Sequence, residues 1–281
     1  MESSTPHAVP RPELAAWMLC KRELVRFFRQ RNRVIGAVGQ PLIFWLLFGV
    51  GLDRSFQLSE TGRAAEQSFQ QYYVPGTIAL IVLFTAIFTT ISIIEDRSEG
   101  FLQSVLVAPL PRWSMVAGKI LGGTLIALLQ AVLFLVLVFA IEREGSVGQM
   151  VHLIALLGAS AFGLTGLGFV LAWRMDSTQG FHAVMSVLLF PMWLLSGAFF
   201  PVPVLSGGES ILRIGMYWLM RANPLTYSVA GVRRLMSGPD VADALQLPSL
   251  AMCWIVTAGF AAAMFATATY MTRYRTKGDL L

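Results

Sequence analysis

Residues 95–112 read EDRSEGFLQSVLVAPLPR and lie between two long apolar runs, so they form a loop on one side of a membrane. The loop opens with charged residues and Gly100, and the next residues predict a short amphipathic helix. The apolar residues that share one face of this helix are Phe101, Leu102, Val105 and Leu106. Pro109 ends the helix, because proline lacks an amide hydrogen and clashes with the preceding turn. The pattern indicates a helix that docks on another protein or lies in the lipid headgroup layer, and the residues alone leave both interpretations open.

Composition places the chain among integral membrane proteins. It has 281 residues, of which 56% are hydrophobic and 13% charged, and its mean hydropathy is +0.65. A soluble domain carries about 25% charged residues. This chain therefore has too few charged residues to cover a water-facing surface. The net charge is +5, and the basic residues stand beside apolar runs, which favours lipid headgroups over nucleic acid as their partner. The two cysteines, Cys20 and Cys253, imply neither a disulfide framework nor a metal cluster.

The N-terminal part predicts an interfacial helix. We expect residues 1–12 to be disordered, and we expect no signal peptide, since no apolar core follows the first basic residues at the required distance. Residues 13–33 carry an apolar stripe that includes Trp17, and arginines recur beside it. The recurring arginines of this helix are expected to face lipid headgroups or an acidic partner surface, and they are Arg22, Arg26, Arg29 and Arg33.

Six apolar runs approach or reach the roughly 20 residues that cross a bilayer. The predicted spans are residues 34–52, 73–94, 116–141, 150–173, 181–200 and 249–270. Their connecting segments are unequally charged: with the N-terminus inside, inner segments hold fourteen of the 21 Lys and Arg residues. Cytoplasmic segments are normally the richer in Lys and Arg. Both termini and the loop at residues 95–112 are therefore predicted to be cytoplasmic.

No catalytic site is predicted in this chain. Glu95 and Glu99 share a helical face, but no histidine is near in sequence, and an ion-pair network is the more economical interpretation. The dipeptide at Gly118 and Lys119 is followed by Ile120, so it is not a phosphate-binding loop. We expect no metal or cofactor in this chain, and any use of ATP requires a site on another chain.

The segment after the fifth predicted span, residues 201–227, is predicted to be re-entrant or interfacial on the outer face. Pro191 is expected to kink the preceding span, and residues 209–220 form an amphipathic stretch too short and too charged to cross. Arg233 and the residues after it are expected to return to water.

Two motifs together resemble the type-two permeases of ATP-binding-cassette (ABC) exporters. The first runs from Glu95 to Leu102, through Ala108 and Pro109, to Gly118 and Lys119. The second joins Ser196 and Gly197 to Phe200 and Pro201, and then to Asn223, Pro224, Leu225, Thr226, Tyr227 and Arg233. The residue sequence of the first motif is closest to that of the antibiotic-resistance (daunorubicin-type) and nodulation-factor-type branch. The resemblance covers residues 13–275 as one transmembrane domain and leaves 276–281 as a tail.

The resemblance implies a bacterial-type plasma-membrane protein that pairs with a second permease copy, membrane lipid and two cytoplasmic ATPase subunits, which hold ATP and Mg. The loop helix would be a coupling helix, and its residues would be Glu95, Arg97, Glu99, Gly100, Phe101, Leu102, Val105, Leu106 and Pro109. In this scheme the charged residues orient the helix, Gly100 leaves room for its backbone, and the apolar residues dock on the ATPase.

The resemblance also implies an export path for an amphiphilic drug, lipid or lipid-linked or polysaccharide-type substrate between two copies. Residues suited to that path are Phe84, Phe88, Met185, Phe190, Met192 and Trp193. The outer motif would comprise Pro201, Asn223, Pro224 and Tyr227. Two alternative functions stay open. One is a membrane scaffold or sensor without transport. The other is a lipid-modifying membrane enzyme, which the presence of only 3 histidines disfavours.

Overall fold

The computed structural model describes residues 11–30, 35, 39, 43, 45–47, 69–141, 147–203, 205 and 210–273. Most of the predicted segments 1–12 and 34–52, and the whole tail 276–281, lie outside these residues. Ten α-helices have described bounds, in agreement with the predicted all-α class, and residues 35, 39, 43 and 45–47 are helical as well. In chain order they are α1 Pro12–Arg29, α2 Phe69–Phe88, α3 Ile91–Ser98, α4 Phe101–Val107, α5 Arg112–Ile141, α6 Val147–Trp173, α7 Thr178–Leu194, α8 Ile211–Ala222, α9 Pro224–Ala244 and α10 Leu250–Met271.

Four of the described helical segments are long and apolar enough to cross a membrane. They are Tyr72–Ser98, Arg112–Phe139, Gly148–Trp173 and Leu250–Met271. The first of these comprises α2 and α3, which are separated only by a turn at Thr89 and Thr90. These four correspond to the predicted spans 73–94, 116–141, 150–173 and 249–270, so hydropathy located them to within a few residues.

The spanning helices differ in how deeply they are buried. In the most apolar stretch of Tyr72–Ser98, 83% of the residues are buried, whereas in Leu250–Met271 the share is 17%. Helix α2 packs against α5, α6, α7 and α9, and α10 packs mainly against α6 and α9. The segment that leads into the loop at residues 95–112 therefore lies at the centre of the bundle, and α10 lies at its edge.

Small residues in α6 allow close packing, as the glycine-rich pattern of this span predicts. A Cβ atom on Gly163 would lie 2.7 Å from the ring of Phe260 in α10. A Cβ atom on Gly168 would lie 2.8 Å from the Thr90 hydroxyl in the turn between α2 and α3. Helix α6 consequently joins the edge of the bundle to its centre.

Helix α1 lies directly against α5 because two glycines of α5 face it. A Cβ atom on Gly118 would lie 2.6 Å from the Ala16 carbonyl oxygen, and one on Gly122 would lie 2.7 Å from the Glu23 Cβ. These glycines are four residues apart, the spacing that lets helix backbones approach closely in membranes. The N-terminal helix therefore packs directly against α5 at these two glycines.

Gly122→Val is expected to weaken this contact and to lower the free energy of unfolding by about 1–3 kcal/mol, because the added methyl groups overpack the interface. Thermal unfolding in detergent measures the change. The matched control is Gly259→Val in α10, where nothing lies within 4 Å of the position that a Cβ would take. Equal melting temperatures for the two variants would show that the α1–α5 contact contributes nothing to stability.

The predicted fifth span, residues 181–200, is shorter than expected. Helix α7 ends at Leu194 and has 17 residues. A turn follows in which Gly197 has a φ of 77°, a left-handed conformation that ends the helix. The turn packs on α2 because Gly76 lacks a side chain: a Cβ there would lie 2.6 Å from the Ala198 carbonyl oxygen.

Candidate functional site

The short helix α4 stands at one end of the bundle and is held at both of its ends. Gly100 precedes it with a φ of 76°, a conformation that a residue with a side chain adopts only under strain. The Arg22 guanidinium of α1 lies 3.8 Å from the centroid of the Phe101 ring. Leu102 is 2% exposed and belongs to the apolar core. At the other end, Arg112 donates a hydrogen bond of 3.1 Å to the Leu106 carbonyl oxygen.

Asp96, at the end of the central span, is the hub of an ionic cluster beneath α4. Its side chain is 0% exposed. Arg22 donates to both carboxylate oxygens, at 2.9 and 2.7 Å. Arg26 donates to the same carboxylate at 2.8 Å, and Lys119 of α5 also donates to it. One carboxylate therefore connects α1, α3 and α5.

The inner part of the cluster is balanced in charge. Lys119 also donates to Glu23 at 2.5 Å, and Arg26 donates to Glu95 at 2.7 Å. Three cations thus face the carboxylates of Glu23, Glu95 and Asp96. Burying an unpaired charge costs several kcal/mol, whereas a hydrogen-bonded set of opposite charges offsets much of that cost. The balance explains how ionic groups are tolerated at the ends of apolar helices.

Arg97 joins α3 to the end of α6. It donates hydrogen bonds to the carbonyl oxygens of Trp173, at 2.7 Å, and Met175, at 3.1 Å. These acceptors lie at the C-terminal end of a helix, where a cation is favourable. Glu99 is exposed and lies 3.6 Å from Arg26 at the edge of the ionic cluster. The predicted ion-pair network therefore exists, and its basic partners come from α1 and α5.

The outward surface of α4 differs from the apolar face that the sequence indicated. Val107 is 84% exposed, and Pro109 is exposed beside it. Val105 and Leu106 are partly buried against the core. The buried position of Leu102 corrects its predicted role as a surface contact, because this side chain supports the helix from within the chain. A partner approaching this end would meet Val107 first.

Helix α1 presents its apolar stripe outward and two of its arginines inward. Trp17 is exposed together with the other large apolar residues of the stripe, which are Leu14, Met18, Val25 and Phe28. Arg29 is exposed, as an interfacial helix requires. Arg22 and Arg26 face Asp96, however, so their acidic partner surface belongs to this chain.

The residues suggested for an export path divide into two groups. Met185 and Trp193 are buried in a stripe along α7, and the Trp193 indole donates to the Gly76 carbonyl oxygen at 2.9 Å. Their burial corrects the prediction that they line a path between copies. The partly or fully exposed members are Phe84, Phe88, Phe190 and Met192.

The outer motif forms one connected unit. Asn223 caps α9 by accepting from the Leu225 amide at 3.0 Å, and its amide donates to the Met192 carbonyl oxygen of α7 at 2.6 Å. Pro224 follows as the first residue of α9, where its missing amide hydrogen costs nothing. Tyr227 donates to the Arg221 carbonyl oxygen at 3.2 Å, and Pro201 is exposed.

Arg233 contradicts the expectation that it lies in water, because it is 3% exposed. It donates to the Gly197 carbonyl oxygen at 3.1 Å and to the Tyr72 hydroxyl at 3.3 Å. The prediction failed because the hydropathy of a segment does not reveal that polar backbone groups of a distant turn surround it.

Sequence reasoning also missed Glu23, Asp96 and Lys119 as members of the ionic cluster. A usable signal was present in part: a lysine lies between two glycines spaced for helix packing, and Glu23 lies among the basic residues of its helix. Such a lysine needs a carboxylate from the neighbouring helix, since an ammonium group at this depth is costly when unpaired.

Comparison with known proteins identifies the family of this chain. The family model described as ABC-2 type transporter matches residues 15–237. The chain is 24% identical to the daunorubicin resistance ABC transporter permease protein DrrB1 of Streptomyces coeruleorubidus, over 91% of this chain and 84% of that protein. It is 25% identical to nodulation protein J of Rhizobium leguminosarum bv. trifolii, over 76% and 77% of the two chains.

A chain of Cyanophora paradoxa that is named as a transport permease, ycf38, is also 25% identical, over 79% of this chain and 73% of its own length. The family model covers both the ionic cluster and the outer motif. The chain therefore belongs to the ABC-2 type transporter family, as a multi-pass membrane permease.

Proposed function

We propose that this permease is the membrane subunit of an ABC exporter for an amphiphilic substrate, driven by two separate ATPase subunits that bind at α4. The observation that carries the proposal is the seating of α4: a short helix with an exposed Val107 is held rigidly above a buried ionic cluster. A displacement of α4 would be transmitted to α1, α3 and α5 through Asp96, and the loop would not have to rearrange. ATP and Mg belong to the partner in this scheme.

A second permease copy would complete the path. Helix α7 buries one narrow stripe and leaves apolar residues exposed on its other sides. The large residues of that open surface are Val184, Val187, Leu188 and Phe190. A copy related by two-fold symmetry would cover such a surface and would place Phe190 beside a central passage. The export path, the six-span count with α7 as the fifth span, and plasma-membrane localisation belong to this proposal.

The proposed orientation has α4 in the cytoplasm and α8 on the outer face. Val107→Cys should stay unlabelled by an impermeant maleimide added to intact cells, and Ile211→Cys, at a residue that is 89% exposed, should be labelled. Background from native thiols is expected to be low, since Cys20 and Cys253 are both buried. Burial, with a smaller effect of Glu23, also raises the pKa of Cys20 above its ordinary value.

Permeabilised cells that lack the partner ATPase provide the control, because both cysteine variants should then be labelled. Labelling at residue 107 from outside intact cells would refute the proposed orientation and the docking of a cytoplasmic ATPase at α4.

A further inference from the structure

A second site lies at the other end of the molecule, around the outer motif. An open cleft with a cavity volume of about 180 Å³ separates the turn after α7 from α8 and α9. Its wall includes the buried Arg233, and Arg221, Tyr217 and Thr226 line it as well. Apolar walls come from Pro201, Val202, Leu245 and Leu247. The cleft therefore combines cationic groups with apolar surface.

All described partners of Arg233 are neutral. Besides the Gly197 carbonyl and the Tyr72 hydroxyl, it donates to the Tyr72 carbonyl oxygen at 3.3 Å, and its guanidinium carbon lies 4.0 Å from the Tyr72 ring centroid. Its Nε has no hydrogen-bond partner among the residues that the structure describes. Among the described residues no carboxylate forms an ion pair with it, in contrast to the balanced cluster beneath α4. A buried cation without a counter-charge is costly, and an anion in the cleft would offset that cost.

Arg221 supplies a second cation in the same cleft. Its guanidinium carbon lies 5.3 Å from the centroid of the Tyr217 ring, and its side chain is partly exposed, so it is accessible to a ligand. Two guanidinium groups in one cleft match the oxygens of a phosphate or carboxylate, which arginine binds with directed hydrogen bonds. The adjoining apolar walls suit a hydrocarbon chain attached to that anion.

We propose that this cleft binds the anionic headgroup of an amphiphile, with Arg233 and Arg221 contacting its phosphate or carboxylate. The inference rests on the proposed function only in placing the cleft on the outer face. There the site would hold an anionic amphiphile that has crossed the membrane, or an outer-leaflet lipid with the same headgroup chemistry.

The test measures binding of dioctanoyl phosphatidylglycerol to the purified full-length chain in nonionic detergent by isothermal titration calorimetry. Dioctanoyl phosphatidylcholine, which has no net charge, is the reference probe. The wild-type chain is expected to prefer the anionic probe, and Arg221→Gln should reduce that affinity by about tenfold, because a hydrogen bond to a charged group is lost. Arg233→Lys keeps the charge but loses the planar guanidinium, which donates directed hydrogen bonds to an oxyanion, so this variant should also bind the anionic probe more weakly.

Arg213→Gln is the matched control, since Arg213 lies two turns earlier on α8 and does not line the cleft. It removes the same charge and should leave binding unchanged. Octyl phosphate separates the two ligand sources: equal arginine dependence with this single-chain probe indicates recognition of any anionic amphiphile, and dependence seen only with the diacyl probe indicates a membrane lipid.

Equal affinity of the wild-type chain for the anionic and neutral probes would overturn the proposal, as would unchanged binding by Arg221→Gln. Arg221 is partly exposed, so this variant stays informative even if Arg233→Lys does not fold. The measurement needs no ATPase and no transport. A chain that binds the anionic probe but no ATPase would therefore disprove the proposed function and leave this site intact.

Discussion

Asp96→Asn is expected to lower the free energy of unfolding by about 3–5 kcal/mol, because it leaves buried cations without their shared carboxylate. Arg22, Arg26 and Lys119 all donate to Asp96, which has no exposed surface. The variant should also loosen the contact between α1 and α3, since Asp96 accepts hydrogen bonds from both Arg22 and Arg26 and only the Arg26–Glu95 bond would remain beside them. Thermal and denaturant unfolding in detergent measures the loss, and protease sensitivity of α1 reports the loosened contact.

A double variant tests whether charge balance is the cause. Asp96→Asn combined with Lys119→Met removes one charge of each sign and leaves two arginines facing Glu23 and Glu95. Its loss of stability should be smaller than the sum of the two single losses, as expected for residues in one network. Asp176→Asn is the control, because this carboxylate is exposed and lies 3.8 Å from Arg97. A fully additive double variant would contradict the role of Asp96 as hub.

Val107→Asp is expected to weaken binding of the partner ATPase roughly thirty-fold, or about 2 kcal/mol, because it puts a charge at the centre of an apolar contact. Val107 is the most exposed large apolar residue of α4. The measurement is the affinity for the ATPase subunit that co-purifies with the wild-type chain, followed by ATP hydrolysis of the complex in liposomes. The variant should fold normally, since residue 107 contributes nothing to the core.

Gln179→Asp is the matched control for this experiment. Gln179 is exposed in the first turn of α7, which begins just after the end of α6 to which Arg97 is bonded. It introduces the same charge at the same end of the bundle and away from α4. Wild-type affinity of Val107→Asp would refute docking at α4 and favour the alternative in which this helix rests in lipid headgroups.

The structure changes how the earlier candidates for docking should be tested. Leu102→Ala would mainly create a cavity, because this side chain is buried, and an effect on ATPase binding would then report lost stability. Phe101 is partly exposed and stacks with Arg22, so its replacement would disturb the seating of α4. A substitution at Val107 tests docking without affecting folding, whereas a substitution at Leu102 or Phe101 would affect both.

The sequence by itself determined the all-helical membrane class, the four long apolar helices that the structure describes, and the family. Each depends on local properties: a run of about 20 apolar residues crosses a bilayer whatever its neighbours are, and Asn223 followed by Pro224 begins a helix through its own capping chemistry. The glycines of α6 were also recognisable, since small residues let helices pack closely.

Only the tertiary structure decided which charges are buried and which apolar residues are exposed. Asp96 and Arg233 have ordinary charged side chains in the sequence, and their burial depends on groups 23 to 161 residues away. Leu102 and Val107 are both apolar residues of α4, yet the first packs into the core and the second faces outward. The physical reason is that burial follows from long-range packing: a charge is tolerated inside only where distant residues supply its hydrogen bonds, and no local pattern encodes those partners.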